Sequence, residues 1–321
     1  MVKWSSFPCN IMSWNSPTSK KCEKHNHLKP MLSLSNVFSD DDFYKFEERV
    51  LKRLNTDKTT FSVEPKFDGI GISLTYENGN LTKAVTRGDG VTGEVVTNNI
   101  KTIAKVPHVI EYSSPKTIEI RGEVFFRLDD FSNINTKLEA DDLKTFVSPR
   151  NAAAGTLRNL DIEIVKQRPL DIYFYGIGGH SDDAIYKSYE EFVNFLKKNN
   201  FPVCDLVSFG NAEHVVGSVS EILSSREDLD YESDGAVVKV NDFLHQQKLG
   251  FVSKAPRWAV AWKFPASEKY SKVIEILFSV GRTGIVTPYA TVEPVLISGA
   301  NISNVTLHNM DELSRLDIKV N

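Results

Sequence analysis

Short strands joined by tight turns dominate residues 61–126, and this pattern constrains the fold more than any other feature of the chain. After Gly69, apolar residues alternate with small or polar ones through residue 75, which is the period-two pattern of a half-buried strand. The sequence "ENGN" at 77–80 then predicts a hairpin turn, because Asn-Gly accepts the positive φ values that such turns require. Since hairpins build antiparallel sheets, the chain is predicted to be α+β and not a doubly wound parallel sheet.

Several other segments carry helix signals. Ser39 is a candidate N-cap for a helix with acids in its first turn and bases in its last, the distribution that a helix dipole favours. Pro149 stands near the start of a second helix. A third helix is predicted around "GEVVTNNIKTIA" (93–104), and a short one runs from an Asn cap, Asn241, to a glycine stop. Residues 1–30 show no clear period and are predicted to be loop.

Composition narrows the class of protein. The 321 residues carry a net charge of −4, so any nucleic-acid partner must be held by local basic patches. The cysteines, Cys9, Cys22 and Cys204, are odd in number and far apart, which favours a reducing compartment over a disulfide framework. No apolar run approaches the roughly 20 residues that span a bilayer, and the N-terminus lacks the apolar segment of a signal peptide. We therefore expect a cytoplasmic protein with no membrane contact.

The sequence "GDGVTG" at 88–93 matches G-x-G-x-x-G, and Glu111 follows it as a candidate ribose-binding acid of a dinucleotide fingerprint. Three glycines at these offsets also occur often in turns. A Rossmann sheet needs repeated βαβ crossovers, whereas this chain carries hairpin signals. We therefore favour a plain glycine turn.

A second cluster, formed by Cys22, His25 and His27 with Cys9 upstream, contains residue types that bind zinc. Zinc sites usually show C-x₂₋₄-C and H-x₃₋₅-H spacings, which are absent here. A polar linker is the favoured interpretation, and no zinc is expected in this chain.

The lysine in "VEPKFDG", Lys66, stands at a strand entrance between two carboxylates, Glu64 and Asp68. A single lysine at a strand end is usually a solvated surface charge. Two further lysines, Lys239 and Lys263, lie in otherwise apolar strands, where an unpaired ammonium would be costly to bury. Each could also serve to protect an edge strand from aggregation. Together with other charges at strand ends they favour a site that collects phosphate oxygens; these other charges are Arg87, Arg121, Glu123 and Asp234.

The "KFDG" sequence is similar to the Lys-x-Asp-Gly motif of the covalent nucleotidyltransferases, which include DNA ligases, RNA ligases and capping enzymes. Further blocks in family order over residues 30–312 resemble the bacterial NAD-dependent DNA ligases: "TRGDGVTGE", "RGEVF", "PRNAAAGTLR", "DGAVVKV", "LGFVSKAPRWAVAWKFPA", "VGRTGIVTP" and "SNVTLHN". The resemblance implies an α+β nucleotidyltransferase adenylation domain, ATP-grasp-like with antiparallel sheets, and then an OB-fold. We expect an N-terminal remnant and linker helix over 1–60, the adenylation domain over 61–265 and an incomplete β OB-fold over 266–321.

The resemblance implies that Lys66 attacks the α-phosphorus of NAD, expels nicotinamide mononucleotide and becomes lysyl-AMP. AMP then passes to the 5′-phosphate of a nick in double-stranded DNA, and the 3′-hydroxyl displaces it to seal the strand in replication and repair. With an ordinary lysine pKa of about 10.4, roughly one amine in 2,000 is free at pH 7, so a neighbouring cation or Mg²⁺ (or Mn²⁺) is expected to assist. Asp68, also catalytic by resemblance, is expected to turn towards the metal or the backbone, because a closer carboxylate would hold the proton on the lysine.

The same resemblance implies the remaining site residues. Those expected to contact the nucleotide are Ser33, Leu34, Glu64, Arg87, Glu123, Tyr175, Lys239 and Lys263. Among them, Glu64 would meet the adenine, Tyr175 would stack on it, and Lys239 would lie against its other side or edge. Lys263 would neutralise the α-phosphate. The expected metal-linked acids are Glu123 and Asp234. Arg150, Arg158 and Arg226 are expected to contact the DNA backbone, although a solvated position explains each single arginine equally well.

Parts of the family pattern are absent from the sequence. We find no Tyr- and Asp-rich pocket for nicotinamide mononucleotide before residue 30, and residues 268–321 offer three strands where an OB-fold needs five. We therefore expect a ligase core shortened by gene decay, a split gene or an incomplete frame, which seals nicks poorly with NAD and to which a separate polypeptide could supply the missing domains. One alternative is a non-catalytic remnant that binds adenine nucleotide or nicked DNA; an ATP-using ligase or capping enzyme is less favoured.

Overall fold

The computed structural model describes residues 23–111, 116–181, 186–252, 255–264, 269–281, 284–297 and 300–320. The strands are β1 (Lys24–Asn26), β2 (Ser35–Val37), β3 (Phe61–Phe67), β4 (Ile70–Glu77), β5 (Asn80–Thr86), β6 (Thr92–Glu94), β7 (Thr117–Phe125), β8 (Asp171–His180), β9 (Ser208–Gly210), β10 (Ser233–Val240), β11 (Phe251–Val252), β12 (Ala255–Pro256), β13 (Ala259–Lys263), β14 (Val273–Val280), β15 (Val286–Ile297) and β16 (Ala300–Thr306). The helices are α1 (Asp40–Leu54), α2 (Thr97–Ile100), α3 (Leu128–Ala140), α4 (Pro149–Leu157), α5 (Ile162–Gln167), α6 (Tyr189–Lys198), α7 (Ala212–Ser224), α8 (Phe243–Leu249) and α9 (Met310–Leu316).

Two sheets form the larger part of the structure. One has five strands in the order β2-β13-β10-β3-β9, and the other has four in the order β5-β4-β7-β8. Neighbours pair antiparallel in both sheets, except that β2 runs parallel to β13. This confirms the predicted mixture of helices with antiparallel sheets.

The hairpin turn between β4 and β5 has the predicted form. Asn78 (φ 48°) and Gly79 (φ 79°) both adopt the left-handed conformation that a type I′ turn requires. A Cβ on Gly79 would lie 2.7 Å from the backbone oxygen of Ile110, so close approach of the chain also requires glycine here.

The period-two pattern of β4 predicts that one of its faces is exposed to solvent, but in the structure this face is covered. Ser73 on this face is 1% exposed and pairs across the sheet with Arg121 of β7. The Arg121 guanidinium donates to the backbone carbonyls of Lys29 and Pro30, so the segment that precedes β2 lies over the face. The prediction of a half-buried strand is therefore wrong, because periodicity cannot report a cover supplied by a remote segment.

Apolar clusters support each sheet and join the two. Helix α1 packs on the five-stranded sheet, where the ring of Phe43 lies 5.6 Å from that of Phe61 and 5.3 Å from that of Trp262. Between the sheets, Phe67 at the end of β3 lies 5.2 Å from the ring of Tyr173 in β8 and also stacks on Phe125 of β7. Burial of each such side chain contributes about 1.5–3 kcal/mol. The aromatic cluster therefore fixes the residue before Phe67, which is Lys66, relative to the four-stranded sheet.

Two predicted helix starts are confirmed. The Ser39 Oγ accepts a hydrogen bond from the Asp42 backbone N–H at 3.2 Å and begins α1, as its sequence predicts. Helix α4 begins at Pro149, where Ser148 supplies the cap. In the described residues every helix is too short or too polar to cross a bilayer.

Other helix predictions require correction. Helix α8 is capped by Asp242, which accepts from the His245 backbone N–H at 2.8 Å. The predicted Asn241 cap is wrong, because that side chain instead accepts from the Glu190 backbone N–H. The helix predicted over 93–104 shortens to α2, and β6 occupies its start.

No helix is predicted at α3, whose Ser, Asn and Thr residues have low helix propensity and whose first turn has no side-chain cap. Strand β1 lies where a loop is predicted; the rest of that prediction, over 1–22, falls outside the described residues.

Strands β14, β15 and β16 form a separate three-stranded antiparallel sheet, which α9 follows. Ala290, Val292 and Leu307 are the buried residues of its small core. The described residues thus contain the three strands that the sequence predicts for this region.

Candidate active site

Three strands of the five-stranded sheet bring two lysines to one carboxylate. Lys66 lies near the end of β3, Asp234 near the start of β10 and Lys263 at the end of β13, and antiparallel pairing aligns them. Asp234 Oδ1 accepts a hydrogen bond from Lys66 Nζ at 2.8 Å, and Asp234 Oδ2 accepts one from Lys263 Nζ. A Cβ on Gly235 would lie 2.2 Å from Trp262 O, so glycine is what allows β10 to approach β13 this closely.

The Asp234 carboxylate is the electrostatic centre of this group. Burial acts to raise its pKa, but the hydrogen bonds and charges of Lys263 and Lys66 outweigh burial and hold the pKa below its usual value. The carboxylate is therefore ionised at neutral pH. Two ammonium groups on one carboxylate leave a net positive charge in a partly solvated position, which attracts anions such as phosphate.

The four-stranded sheet supplies a further carboxyl group, that of Glu123 on β7. Its Oε2 accepts a hydrogen bond from Tyr175 OH of β8 at 3.3 Å. Burial raises the pKa of Glu123 to about 7, although Lys66 and Tyr175 act to lower it. Gly71 lies opposite Glu123, where a Cβ would stand 3.5 Å from Glu123 Oε2 and 3.3 Å from the Arg87 Cβ. Gly71 therefore leaves room for the side chains of Glu123 and Arg87. Because its pKa is about 7, the Glu123 carboxyl group changes its charge near neutral pH.

A buried polar network joins the two sheets. Glu64 of β3 receives a hydrogen bond from Lys239 Nζ on one oxygen and another, at 2.8 Å, from Tyr189 OH on the other. Lys239 Nζ and Tyr189 OH also each lie 2.7 Å from the backbone oxygen of Tyr175. Burial lowers the pKa of Lys239, while the charge of Glu64 opposes this shift. An unpaired ammonium in the apolar surroundings of Lys239 would be costly to bury. The hydrogen bonds to Glu64 and to Tyr175 O offset this cost.

The Asp68 carboxylate pairs with Arg150. Asp68 Oδ1 accepts from Arg150 Nη1 of α4 at 2.7 Å, and the Asp68 backbone N–H donates to Glu232 O at 2.9 Å. The carboxylate therefore turns to the guanidinium that α4 presents to the turn after β3 and not to the backbone, while its orientation towards a metal stays a prediction. Its role in catalysis stays a prediction.

Arg87 links the site to the segment that precedes β2. Its Nη2 donates to Ser33 Oγ at 3.0 Å and its Nε to Met31 O at 3.4 Å. Leu34, the next residue along the chain, is partly buried. The Arg87 side chain also lies beside Gly71, which is opposite Glu123. Its hydrogen bond therefore holds Ser33 on the Glu123 side of the site, with Leu34 as the next residue in the chain.

The three arginines predicted to contact DNA have different partners. Arg158, just beyond α4, lies with its Nε 3.2 Å from Glu94 Oε2. The Arg226 guanidinium lies over the ring of Phe264 at 5.8 Å. Arg150 and Arg158 are both more than half exposed, so each can reach a phosphate if it exchanges its carboxylate partner.

The "GDGVTG" sequence forms a turn between β5 and β6. Gly88 (φ 56°) and Gly90 (φ 93°) supply its left-handed conformations, and a strand follows it where a dinucleotide fingerprint needs a helix. Glu111 forms an ion pair with Lys198 at 2.8 Å. The plain glycine turn is confirmed, and the alternative of a Rossmann dinucleotide fingerprint is wrong.

Two members of the cysteine and histidine cluster contact protein groups. His25 Nδ1 lies 3.2 Å from Lys83 Nζ, and His27 Nε2 lies 3.2 Å from Arg87 O. Cys9 and Cys22 are outside the described residues. Within the part of the chain that the structure describes, no group of three or more His, Cys, Asp or Glu side chains is arranged to hold a metal ion. Both described histidines thus take part in the packing around β1 and β5.

Tyr189 is a residue of this network that sequence reasoning missed. It is the first residue of α6, after the Ser188 cap, and in the sequence it is one of the apolar residues of an amphipathic helix. The one available signal is general: the hydroxyl of a buried tyrosine usually has a hydrogen-bond partner.

Comparison with known families covers nearly the whole chain. The model of the NAD-dependent DNA ligase adenylation domain matches residues 19–267, and that of the NAD-dependent DNA ligase OB-fold domain matches residues 270–321. Both matches agree with the resemblance of the sequence motifs.

Curated relatives point the same way. The DNA ligase of Thermodesulfovibrio yellowstonii is 45% identical over 306 residues, which cover 94% of this chain and 46% of that protein. The DNA ligase of Acinetobacter baumannii (strain AYE) is 44% identical over 321 residues, with coverage of 97% and 47%. That of Legionella pneumophila is 46% identical over 298 residues, with coverage of 92% and 44%. The chain therefore spans about half the length of these relatives.

Proposed function

The chain belongs to the NAD-dependent DNA ligase family, and from this premise we propose that it performs the adenylylation chemistry of nick sealing with Lys66 as its nucleophile. The observation that supports this most directly is the pair of ammonium groups, from Lys66 and Lys263, on the two oxygens of Asp234. A phosphate that displaces this carboxylate would meet one amine as attacker and the other as counter-charge.

In the first step, Lys66 Nζ, which is partly exposed, loses a proton to solvent water and forms a bond to the α-phosphorus of NAD. The bond from that phosphorus to the bridging oxygen breaks, and nicotinamide mononucleotide leaves. Lys263 and Arg87 neutralise the non-bridging oxygens, because charge-stabilising groups that are already in position need no reorganisation during the reaction. AMP then passes from Lys66 to the 5′-phosphate of a nick, and attack by the 3′-hydroxyl releases it.

The Glu64–Lys239 pair complements an adenine edge, which offers a donor at N6 beside an acceptor at N1. Glu64 accepts, and Lys239 donates through its third N–H, since the other two are used by Glu64 and Tyr175 O. Guanine reverses both groups and would leave them mismatched. The Tyr175 ring would stack on the base, and Ser33 and Leu34 would border the dinucleotide.

A divalent metal, Mg²⁺ or Mn²⁺, fits this site as an ion that binds together with the phosphates. Mg²⁺ commonly takes one or two protein carboxylates and completes its shell with substrate phosphates and water. Glu123 and Asp234 are the carboxylates that would hold it, and Glu123 must be ionised to do so. When bound, the ion supplies positive charge to the phosphates.

DNA binding is proposed for Arg150, Arg158 and Arg226 through backbone phosphates. Arg150 in α4 and Arg158 just beyond its end are exposed and carry carboxylate partners that a phosphate could replace. The ATP-grasp-like character of the adenylation domain and the boundaries at 60/61 and 265/266 stay predictions.

Intact-mass analysis tests the assignment of Lys66. After incubation with NAD and Mg²⁺, the chain should gain the mass of AMP, and peptide mapping should place it on Lys66. Lys66→Ala and Lys66→Arg should both lose the adduct, because a guanidinium stays protonated and does not attack, whereas Lys45→Arg on the exposed face of α1 should keep it. An adduct that persists in Lys66→Ala refutes the assignment. A wild-type chain that binds AMP but acquires no adduct would favour the non-catalytic alternative.

A further inference from the structure

We infer that Tyr189 is a positioning residue that sets the preference of the nucleotide site for a base with an exocyclic amine, because it holds Glu64 in place as the acceptor. The inference rests on the proposed adenine-binding role of Glu64. Tyr189 itself need not touch the nucleotide.

The hydroxyl of Tyr189 is held between two oxygens. It lies 2.8 Å from Glu64 Oε2 and 2.7 Å from Tyr175 O. A tyrosine hydroxyl has one proton, so the two acceptors share it. The Glu64 side chain is 3% exposed, and water has little access to replace a lost partner. The hydroxyl is therefore what fixes the second oxygen of this carboxylate.

The ring of Tyr189 acts on the other member of the pair. Lys239 Nζ lies 4.2 Å from the Tyr189 ring centroid, nearer than its 5.4 Å from the ring of Tyr175. A cation at this distance is attracted to the aromatic face. The hydroxyl thus holds the acceptor and the ring holds the donor, and removal of the hydroxyl alone separates the two effects.

Loss of the hydroxyl should weaken recognition of the base amine and leave recognition of N1 intact. In Tyr189→Phe the ring remains beneath Lys239, while Glu64 Oε2 has lost its fixed partner and the carboxylate can rotate. A hydrogen bond from a base amine to a charged group contributes a preference of about 10-fold or more, and most of this should disappear.

Binding of two nucleotides measures the effect directly. AMP and purine riboside 5′-monophosphate both carry the N1 acceptor and the same phosphate, but the second lacks the 6-amino group. We expect wild type to bind AMP about 10-fold more tightly, and Tyr189→Phe to reduce this ratio to about 2 or less with little change for purine riboside 5′-monophosphate. Because both ligands are measured on one sample, the ratio does not depend on the fraction of protein that is folded.

Tyr186→Phe is the matched control. The rings of Tyr186 and Tyr189 both pack on Phe192, at 5.5 and 6.2 Å, so the two variants lose the same group from the same cluster. In the described residues, the Tyr186 hydroxyl does not contact Glu64. This variant should keep the wild-type ratio.

The outcomes separate the inference from the function on which it rests. A wild-type chain with equal affinity for both nucleotides would contradict the proposed role of Glu64. Discrimination that survives in Tyr189→Phe, or an equal loss of affinity for both ligands, would overturn the role of Tyr189. In a Glu64→Ala background, the tyrosine substitution should have no further effect on the ratio; an additional loss there would show that Tyr189 acts by another route.

Discussion

Replacement of Lys239 by Met tests whether the buried ion pair with Glu64 supports the fold as well as the site. The two side chains are 11% and 3% exposed. Methionine keeps most of the length of lysine and removes the ammonium, so the packing changes less than the charge. Glu64 is then left with Tyr189 as its remaining side-chain partner.

The expected loss of stability follows from that burial. Removal of one partner from a buried ion pair costs about 3–5 kcal/mol, because the other charge is left without compensation. The hydrogen bond from Tyr189 remains, and a bond to a charged group offsets part of this cost. We therefore expect the free energy of unfolding to fall by about 2–4 kcal/mol.

Urea denaturation of wild type and of Lys239→Met measures this difference in the free energy of unfolding, and Lys105→Met is the control. Lys105 pairs with Asp171 at 2.7 Å but is 54% exposed, and Asp171 keeps its second partner, Arg127, at 2.6 Å. The control should lose less than about 1 kcal/mol. A loss below about 1 kcal/mol for Lys239→Met, or equal losses for the two variants, would refute the argument from burial.

Two further predictions concern charge. Burial raises the pKa of Glu123 from the usual 4.5 to about 7, so between these values the folded chain binds a proton that the unfolded chain has released, and wild-type stability should fall as pH rises through this window. Burial also raises the pKa of Glu232 to about 7, so Glu123→Gln should reduce that fall without abolishing it in denaturation curves recorded from pH 4.5 to 7; an unchanged pH slope would contradict the assignment. Replacement of Arg150 and Arg158 together by Ala should reduce the slope of log affinity for nicked duplex against log salt by about 1.8. Replacement of Lys45 and Arg53 on α1 should leave the slope unchanged, and equal slopes for both double variants would exclude the proposed phosphate contacts.

Several elements could be predicted from the sequence because they depend on residues a few positions apart. The cap of α1 joins Ser39 to Asp42, and the hairpin turn depends on the conformations of Asn78 and Gly79. Even so, local signals were ambiguous at α8, where Asn241 and Asp242 are both good caps. A contact with the distant Glu190 decided between them.

The charged residues of the site could also be selected from the sequence, since a lysine in an apolar strand needs a partner. Which partner it takes could not be predicted. Lys66 and Asp234 are 168 positions apart, and they meet because β3 and β10 pair in one particular register. Local propensity does not contain that register, because it depends on which side chains pack on both faces of the sheet.

Tyr189 shows most clearly the difference between what the local sequence determines and what the tertiary structure decides. Local sequence accounts for its place as the first residue of α6, because the Ser188 side chain caps the helix and apolar positions follow. Only the tertiary structure placed its hydroxyl against Glu64, 125 positions away, through the packing of α6 on β8 and the approach of the two sheets. Hydrogen bonds between distant residues form where packing holds both partners within about 3 Å, and that distance is a property of the whole fold.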